Sequence, residues 1–196
     1  MSRDRSFSST AIDLGQEHSR TVTSFYSNLV TRPTGRAIRM GVESQLAEME
    51  AGRRVCLSVL DFSQVRIMDY SCADEIVAKL LLRYAGADRP AEAYFVARGL
   101  EEHHRDAIEA VLERHSLLLV CEHGSTAELL GPCNPLERVC WTAVTRLRRA
   151  DAGMVAAATG VDAEAVHRAL ARLAARRVVV ALRGGLFCAL SELAHG

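Results

Sequence analysis

The first 131 residues switch repeatedly between two patterns of apolar and polar positions. Short apolar runs, typical of buried strands, are followed by stretches in which apolar residues recur every three or four positions, as on one face of a helix. Strand–helix alternation with apolar strands predicts an α/β fold, with a largely parallel sheet and helices packed against it. The predicted elements are a strand from Thr21, a helix over Arg36–Glu50, a strand over Val55–Leu60, a helix over 73–84, a strand over Ala93–Ala97, a helix over Glu101–Ser116, a strand over Leu117–Cys121 and a short helix over Ser125–Leu130.

The pattern changes after residue 131, which marks the predicted domain boundary. The stretch Gly131–Pro135 contains two prolines within four residues, and proline interrupts helices and strands alike. We therefore expect a polar, serine-rich segment over residues 1–20, an α/β domain over 21–131 and a smaller domain over 135–196.

The smaller domain is predicted to contain three helices and a β-hairpin. Apolar residues fall at helical spacing over 136–147, and a short alanine-rich helix is expected over Asp151–Thr159. Asp162 is the expected N-cap of a third helix that reaches about Arg176. Two apolar segments then flank Arg183–Gly185, whose paired glycines are typical of a tight hairpin turn.

Length and composition place the chain among globular proteins. Of its 196 residues, 49% are hydrophobic and 24% are charged, which excludes extended disorder and collagen or coiled-coil repeats. No apolar run approaches the roughly 18–20 residues that cross a bilayer, and the first residues lack the apolar core of a secretory signal. We therefore expect a cytoplasmic protein without a membrane partner.

The charges balance over the whole chain but are unevenly distributed. Residues 135–196 hold nine arginines and five acidic residues, whereas the remainder holds 15 basic and 19 acidic residues. A basic C-terminal third behind an acidic body suggests that the two parts have different partners.

The segment Met154–Leu173, MVAAATGVDAEAVHRALARL, resembles the helix-turn-helix of winged-helix proteins. A helix of small residues leads through a glycine turn into a second helix, and the predicted hairpin follows where the wing of that family lies. The resemblance implies that the second helix enters the major groove of double-stranded DNA, whose width of about 12 Å accommodates a helix. The residues expected to face the bases are Glu164, Ala165, His167 and Arg168, and those expected near phosphates are Arg172, Arg176, Arg177 and Arg183.

The segment Val55–Ile76, VCLSVLDFSQVRIMDYSCADEI, resembles the STAS domain of bacterial anti-sigma-factor antagonists, especially its divergent STAS-like branch. The similarity covers about residues 22–130, because the order of strands and helices also matches. In that family a strand carrying D-hydrophobic-S-x-V leads to a D-S-S-G motif at the start of a helix. Asp69 and Ser71 match this motif, and other residues replace its first serine and its glycine.

The STAS resemblance implies a protein partner, such as an anti-sigma kinase, and a switch at Ser71. A phosphate on Ser71 would lie at the positive end of a helix and would repel an acidic or apolar partner surface. A structural alternative is that Ser71 caps the helix with Asp74 at the capping-box position, and Asp69 could also cap it. The implied partner surface consists of Asp61, Asp69, Tyr70, Ser71, Cys72 and Asp74.

Neither a catalytic site nor a metal site is predicted. His103 and His104 point to different helix faces, and the six cysteines lack the paired spacing of zinc sites. We find no nucleophile–base triad and no phosphate-binding glycine loop. The expectation is a protein that is not an enzyme and has neither metal nor cofactor.

These patterns favour a non-catalytic bacterial regulator of transcription. A STAS-like domain would receive a signal by protein contact, and a partner on Asp69–Ala73 would change sterically whether the winged-helix domain reaches DNA. Two alternatives stay open: a pure protein-interaction module that exchanges partners, and a ligand-sensing STAS-like regulator without DNA binding. A homodimer would suit a DNA-binding protein, although no residue pattern indicates one.

Overall fold

Four parallel strands of the central sheet follow one another in space as they do along the chain. The computed structural model describes Ile12 and residues 18–50 and 55–194. The strand order is β1-β2-β3-β4-β5; the first four strands are parallel and the fifth is antiparallel to β4, so the expected mainly parallel α/β sheet is confirmed. The strands are β1 (His18–Leu29), β2 (Val55–Met68), β3 (Ala93–Arg98), β4 (Leu119–His123) and β5 (Thr126–Leu130).

The helices that connect the parallel strands pack on one face of this sheet. Right-handed crossovers that progress in one direction across a sheet place every connecting helix on the same side. Their buried residues share a core with every second strand residue, for example Leu60 and Phe95. The helices are α1 (Arg32–Glu50), a segment made of α2 (Tyr70–Ala73), a π-helical turn (Asp74–Ala78) and α3 (Lys79–Ala85), and α4 (Glu102–His115).

Residues 135–194, here called the C-terminal unit, cover the other face of the sheet. Three short strands of the unit form an antiparallel sheet in the order β6-β8-β7. The buried residues of the unit form one core cluster with Leu57, Val59, Val96 and Val120 of the central sheet. The elements of the unit are α5 (Pro135–Leu147), β6 (Arg149–Ala150), α6 (Ala152–Thr159), α7 (Ala163–Ala175), β7 (Val180–Ala181) and β8 (Phe187–Cys188).

Short polar side chains define where the helices of the C-terminal unit begin. Asn134, Asp151 and Asp162 each accept the backbone N–H three residues further on, at 2.8, 2.8 and 2.9 Å. Gly160 ends α6 with a φ of 72°, a left-handed conformation that glycine adopts readily. The expected cap at Asp162 is therefore confirmed.

Two sequence expectations about local structure are wrong. The short helix expected over Ser125–Leu130 is strand β5, which pairs with the open edge of β4 after a turn at Gly124, where φ is 61°. The strand expected over Val55–Leu60 continues to Met68, because its second half still pairs with β1.

The polar segment 1–20 lies outside the described residues, apart from Ile12 and residues 18–20. Among the helices that the structure describes, none is long and apolar enough to span a membrane.

Candidate functional site

The solvent-facing side of α7 carries the residues that were expected to face DNA bases. The buried residues of α7 are apolar and recur at helical spacing, so one side of the helix faces the core. Glu164, His167, Arg168 and Arg172 are exposed on the opposite side, and Ala165 is half-buried there. The structure thus brings five of the expected DNA-binding residues together on one helix face, here called the α7 surface.

Both arginines of the α7 surface form ion pairs, one with an exposed partner and one with a buried partner. Arg168 pairs with Glu164 one helical turn earlier, and the two side chains are 56% and 80% exposed. Such exposed pairs contribute only about 0–1 kcal/mol, so a phosphate can replace the carboxylate at little cost. Arg172 donates to buried Glu137 of α5 at 2.6 Å. Arg172 therefore also holds α7 against α5.

The β7–β8 hairpin packs beside the α7 surface. The ring of Phe187 in β8 lies 6.2 Å from the ring of His167, centroid to centroid, in an edge-on arrangement. The hairpin tip, Arg183–Gly185, is exposed. Its two glycines have φ values of 78° and 77°, which explains why the tip uses glycine. A helix face and a hairpin tip are thus presented to solvent side by side.

Arg177 fastens the C-terminal unit to the sheet instead of facing solvent. Its Nε and Nη2 donate to the carbonyl oxygen of Ala93 at 3.0 and 2.7 Å, and Nη2 also donates to Glu92 at 2.7 Å. The guanidinium lies 3.9 Å from the centroid of the Tyr94 ring, and the side chain is 12% exposed. The expected phosphate contact of Arg177 is therefore wrong, because its donors are already used inside the protein.

Arg176 has a comparable structural role. Its Nη2 donates to the carbonyl oxygens of Ser116 and Pro132 at 3.0 and 2.7 Å, and Nη1 donates to Glu137 at 3.5 Å. These contacts join the end of α7 to the segments before β4 and before α5. These contacts occupy the Nη2 donor of Arg176, so the structure does not favour the phosphate contact that was expected of this residue.

The start of α2 is the second candidate surface, and Asp69 caps the helix there. The Oδ1 atom of Asp69 accepts the N–H of Cys72 at 2.8 Å and the hydroxyl of Ser71 at 2.9 Å. The alternative in which Ser71 caps the helix is therefore wrong, and Asp69 takes that role. Asp69, Tyr70 and Ser71 are half-buried, so half of the expected partner surface is accessible.

Two other residues expected on the partner surface, Asp61 and Cys72, lie inside the protein. Asp61 is 6% exposed and accepts hydrogen bonds from Arg98 at 2.8 Å and from the N–H of Ser63 at 3.0 Å. Burial raises the pKa of the Asp61 carboxyl, but these hydrogen bonds outweigh it and hold the pKa below its ordinary value. The buried Cys72 thiol donates to the carbonyl oxygen of Thr31 at 3.0 Å. Neither side chain is available to a partner.

Asp74 belongs to a buried charge cluster in the π-helical turn. Its two oxygens lie 3.0 Å from Arg32 and 3.0 Å from His115. The adjacent Glu75 is fully buried and pairs with Arg32, at 3.0 Å, and with Lys79. Burial raises the pKa of both carboxyls, but the hydrogen bonds from their partners outweigh it and keep both pKa values below ordinary. The expected partner contact of Asp74 is therefore wrong, since the residue stabilises the helix layer.

Sequence reasoning missed this charge cluster, although part of it has a local signal. Glu75 and Lys79 are four residues apart, which is the spacing of an ion pair along one helix face. Arg32 comes from α1, 43 residues away from Glu75, and nothing in the sequence indicates that contact.

The buried His104 has a role in packing and capping. Nδ1 of the buried His104 accepts the N–H of Glu101 at 3.1 Å, which completes a capping box at the start of α4. Burial and the neighbouring His103 lower the pKa of His104. In the described part of the chain, no group of three His, Cys, Asp or Glu side chains is arranged to hold a metal ion.

Comparisons of the chain with models of known families, with curated proteins and with solved structures find no match. Any function assigned to the protein therefore depends on its own geometry. That geometry presents the α7 surface and its hairpin on one side of the sheet, and the start of α2 in the helix layer on the other.

Proposed function

We propose that the protein is a non-catalytic regulator whose C-terminal unit is a winged helix that binds double-stranded DNA. The element order supports this: a helix, a short strand, two helices and a hairpin, with the three strands in one small sheet. The observation that carries the proposal is the contact between Phe187 and His167, which places the hairpin beside the exposed face of α7. A winged helix uses this pair of elements together on DNA.

The α7 surface defines the proposed DNA contacts. Arg168 and His167 would reach base edges in the major groove, because they are exposed on the first half of α7. Arg172 and Arg183 would lie near phosphates. With Arg176 and Arg177 occupied elsewhere, these two arginine–phosphate contacts would give a roughly 12-fold loss of affinity between about 50 and 200 mM salt.

We place the signal-receiving surface of the proposed STAS-like domain at Asp69–Ser71. The Ser71 hydroxyl donates a hydrogen bond to the Asp69 carboxylate. Phosphorylation of Ser71 would replace this donor by a phosphate group that carries a charge of about −1.5 to −2 beside the carboxylate. Repulsion would then weaken the cap of α2 and change this surface. The C-terminal unit packs on the opposite face of the sheet, in a core cluster separate from that of the helix layer. Coupling through the strands that lie between the two clusters is therefore favoured over direct steric overlap.

The DNA proposal is tested by fluorescence anisotropy with labelled duplex fragments from the protein's own locus. Arg168→Glu reverses an exposed charge on the α7 surface without disturbing Glu137. The matched control is Arg83→Glu on α3, where a helical arginine that is 52% exposed also pairs with a carboxylate, Glu43. We expect Arg168→Glu to weaken binding at low salt by about tenfold or more and the control to leave it unchanged.

Two results would contradict the DNA proposal. One is equal binding by wild type and Arg168→Glu at about 50 mM salt, and the other is no binding by the wild type at that salt concentration. Absence of DNA binding would favour the alternative in which both surfaces dock proteins.

A further inference from the structure

A cleft of about 710 Å³ lies between the central sheet and the C-terminal unit. Val96 and Val120 form its floor, the β4–β5 turn with Gly124 and Ser125 forms one wall, and α5 with Trp141 forms another. Sites for small organic molecules typically have volumes of about 300–1,000 Å³ and an apolar lining with a few polar groups. The cleft has the size and the lining of such a site.

Among the described residues that line this cleft, positive charge exceeds negative charge. Arg20, Arg146 and Arg148 line it, and Glu122 is the one carboxylate among the described residues that do so. Arg20 pairs with Glu122 at 3.2 Å, and Arg148 lies 3.8 Å from Glu192. For Arg146, the part of the chain that the structure describes supplies no ion-pair partner. An anion entering the cleft would therefore meet a guanidinium that no carboxylate of the described residues pairs with.

Hydroxyl groups and apolar surface complement the arginines. Ser125, Thr145 and Ser191 line the same cleft, and a hydroxyl can donate to a phosphate, sulfonate or carboxylate oxygen. The indole N–H of Trp141 already donates to the carbonyl oxygen of Val178 at 3.2 Å, so the tryptophan offers apolar surface only. The lining thus combines an apolar floor with cationic and hydroxyl groups.

The backbone at Arg148 is an independent sign of a functional site. Its φ of 66° and ψ of −49° fall outside both the right-handed and the left-handed helical regions. A non-glycine residue in such a region costs about 1–3 kcal/mol, and residues of this kind are concentrated at functional sites. The carbonyl oxygen of Arg148 accepts the N–H of Ala189 at 2.9 Å, which fixes the turn at the edge of the cleft.

We propose that this cleft binds a small organic anion, a compound with one phosphate, sulfonate or carboxylate group on an apolar or aromatic body. The anionic group lies near Arg146 and Arg148, and the body lies against the apolar part of the lining. Residues of both layers line the cleft, so a bound ligand contacts the sheet and the C-terminal unit together. The site is separate from the α7 surface, and it does not depend on whether α7 binds DNA.

The test uses the full-length chain and two probes that differ by one charged group. The anionic probe is 8-anilino-1-naphthalenesulfonate, and the neutral probe is N-phenyl-1-naphthylamine, which has the same aromatic body without the sulfonate. We expect saturable binding of one anionic probe per chain and roughly tenfold weaker binding of the neutral probe. Quenching of Trp141, the single tryptophan, should saturate at the same probe concentration.

Substitutions in the cleft distinguish specific from general binding. We expect Arg146→Ala to lower the affinity for the anionic probe about fivefold and Arg146→Glu to lower it more than about tenfold. Arg148→Ala should also lower this affinity. The control Arg83→Ala, on the other face of the sheet, should stay within about twofold of wild type. Far-UV circular dichroism verifies that each variant is folded.

Three results would overturn the proposal. The first is equal affinity for the two probes, the second is unchanged affinity in folded Arg146→Ala and Arg146→Glu, and the third is the absence of saturable binding by the wild type.

Discussion

Truncation of Arg177 removes one set of contacts between the C-terminal unit and the sheet. Arg177→Ala deletes two hydrogen bonds to the carbonyl oxygen of Ala93, one hydrogen bond to Glu92 and the stacking on Tyr94. The side chain is only 12% exposed, so water replaces few of these contacts in the folded variant. The carbonyl oxygen of Ala93 would lose a charged donor.

The magnitude follows from the kinds of contact that are lost. A hydrogen bond from a charged group contributes about 1.5–3 kcal/mol, and a cation–π contact about 0.5–2 kcal/mol. These contributions are not additive, because they share one guanidinium and the partly exposed Glu92 regains water. We expect the free energy of unfolding to fall by about 3 kcal/mol, which for a chain of this length lowers Tm by roughly 6–12 °C.

The measurement is urea unfolding followed by far-UV circular dichroism. The matched control is Arg168→Ala on the α7 surface, since its ion pair with Glu164 is exposed and its loss should change stability by less than about 0.5–1 kcal/mol. If Arg177→Ala were as stable as Arg168→Ala, Arg177 would not fasten the two layers.

Three further predictions concern other parts of the molecule. Gly35→Ala should destabilise the protein by about 1–3 kcal/mol in urea, since its Cβ would lie 2.9 Å from Cβ of Glu75 and 3.1 Å from Cα of Cys72; an unchanged midpoint would contradict this. Burial lowers the pKa of His104, so its contribution to stability should be complete above about pH 6.5 and lost as pH falls below it, because the unfolded state takes up the proton first. Tm measured between pH 7.5 and pH 5.5 should therefore fall more for wild type than for His104→Gln. Cys133 is half-buried and the other five cysteines are buried, so a thiol reagent should modify one thiol quickly in the native protein and six in urea; several fast thiols would contradict the packing.

Periodicity predicted most helices and strands because those elements form from their own residues. The apolar spacing of α7 also predicted which side of it is exposed, since the buried stripe determines the opposite face. Strand β5 was predicted wrongly, because five residues are too few to separate helical from strand spacing and pairing with β4 decides the outcome.

The packing of the C-terminal unit on the sheet was not predicted, although one segment contains a signal for it. Val55–Leu60 is buried along its whole length, and a strand of this kind requires cover on both faces of its sheet. The connecting helices cover one face only. The second cover could therefore have been sought in residues 135–196, which were instead expected to form a separate domain.

The structural roles of Arg176 and Arg177 have no signal in the sequence. Their carbonyl partners are 44, 60 and 84 residues away along the chain, and any residue type supplies a backbone carbonyl oxygen. Asp61 could not be placed for a related reason. It lies in the middle of β2, and its pairing with Arg98 comes from a residue 37 positions away along the chain.

Unfolding of the full-length protein with two probes tests most directly whether the sheet and the C-terminal unit form one cooperative structure. Trp141 is the single tryptophan, and it is 6% exposed in the core shared by the two parts, so its fluorescence reports on the C-terminal unit. Far-UV circular dichroism reports on the helices of both layers. We expect the two urea transitions to coincide in midpoint and slope. A fluorescence transition that is complete before the circular dichroism signal has changed by half would contradict the shared core.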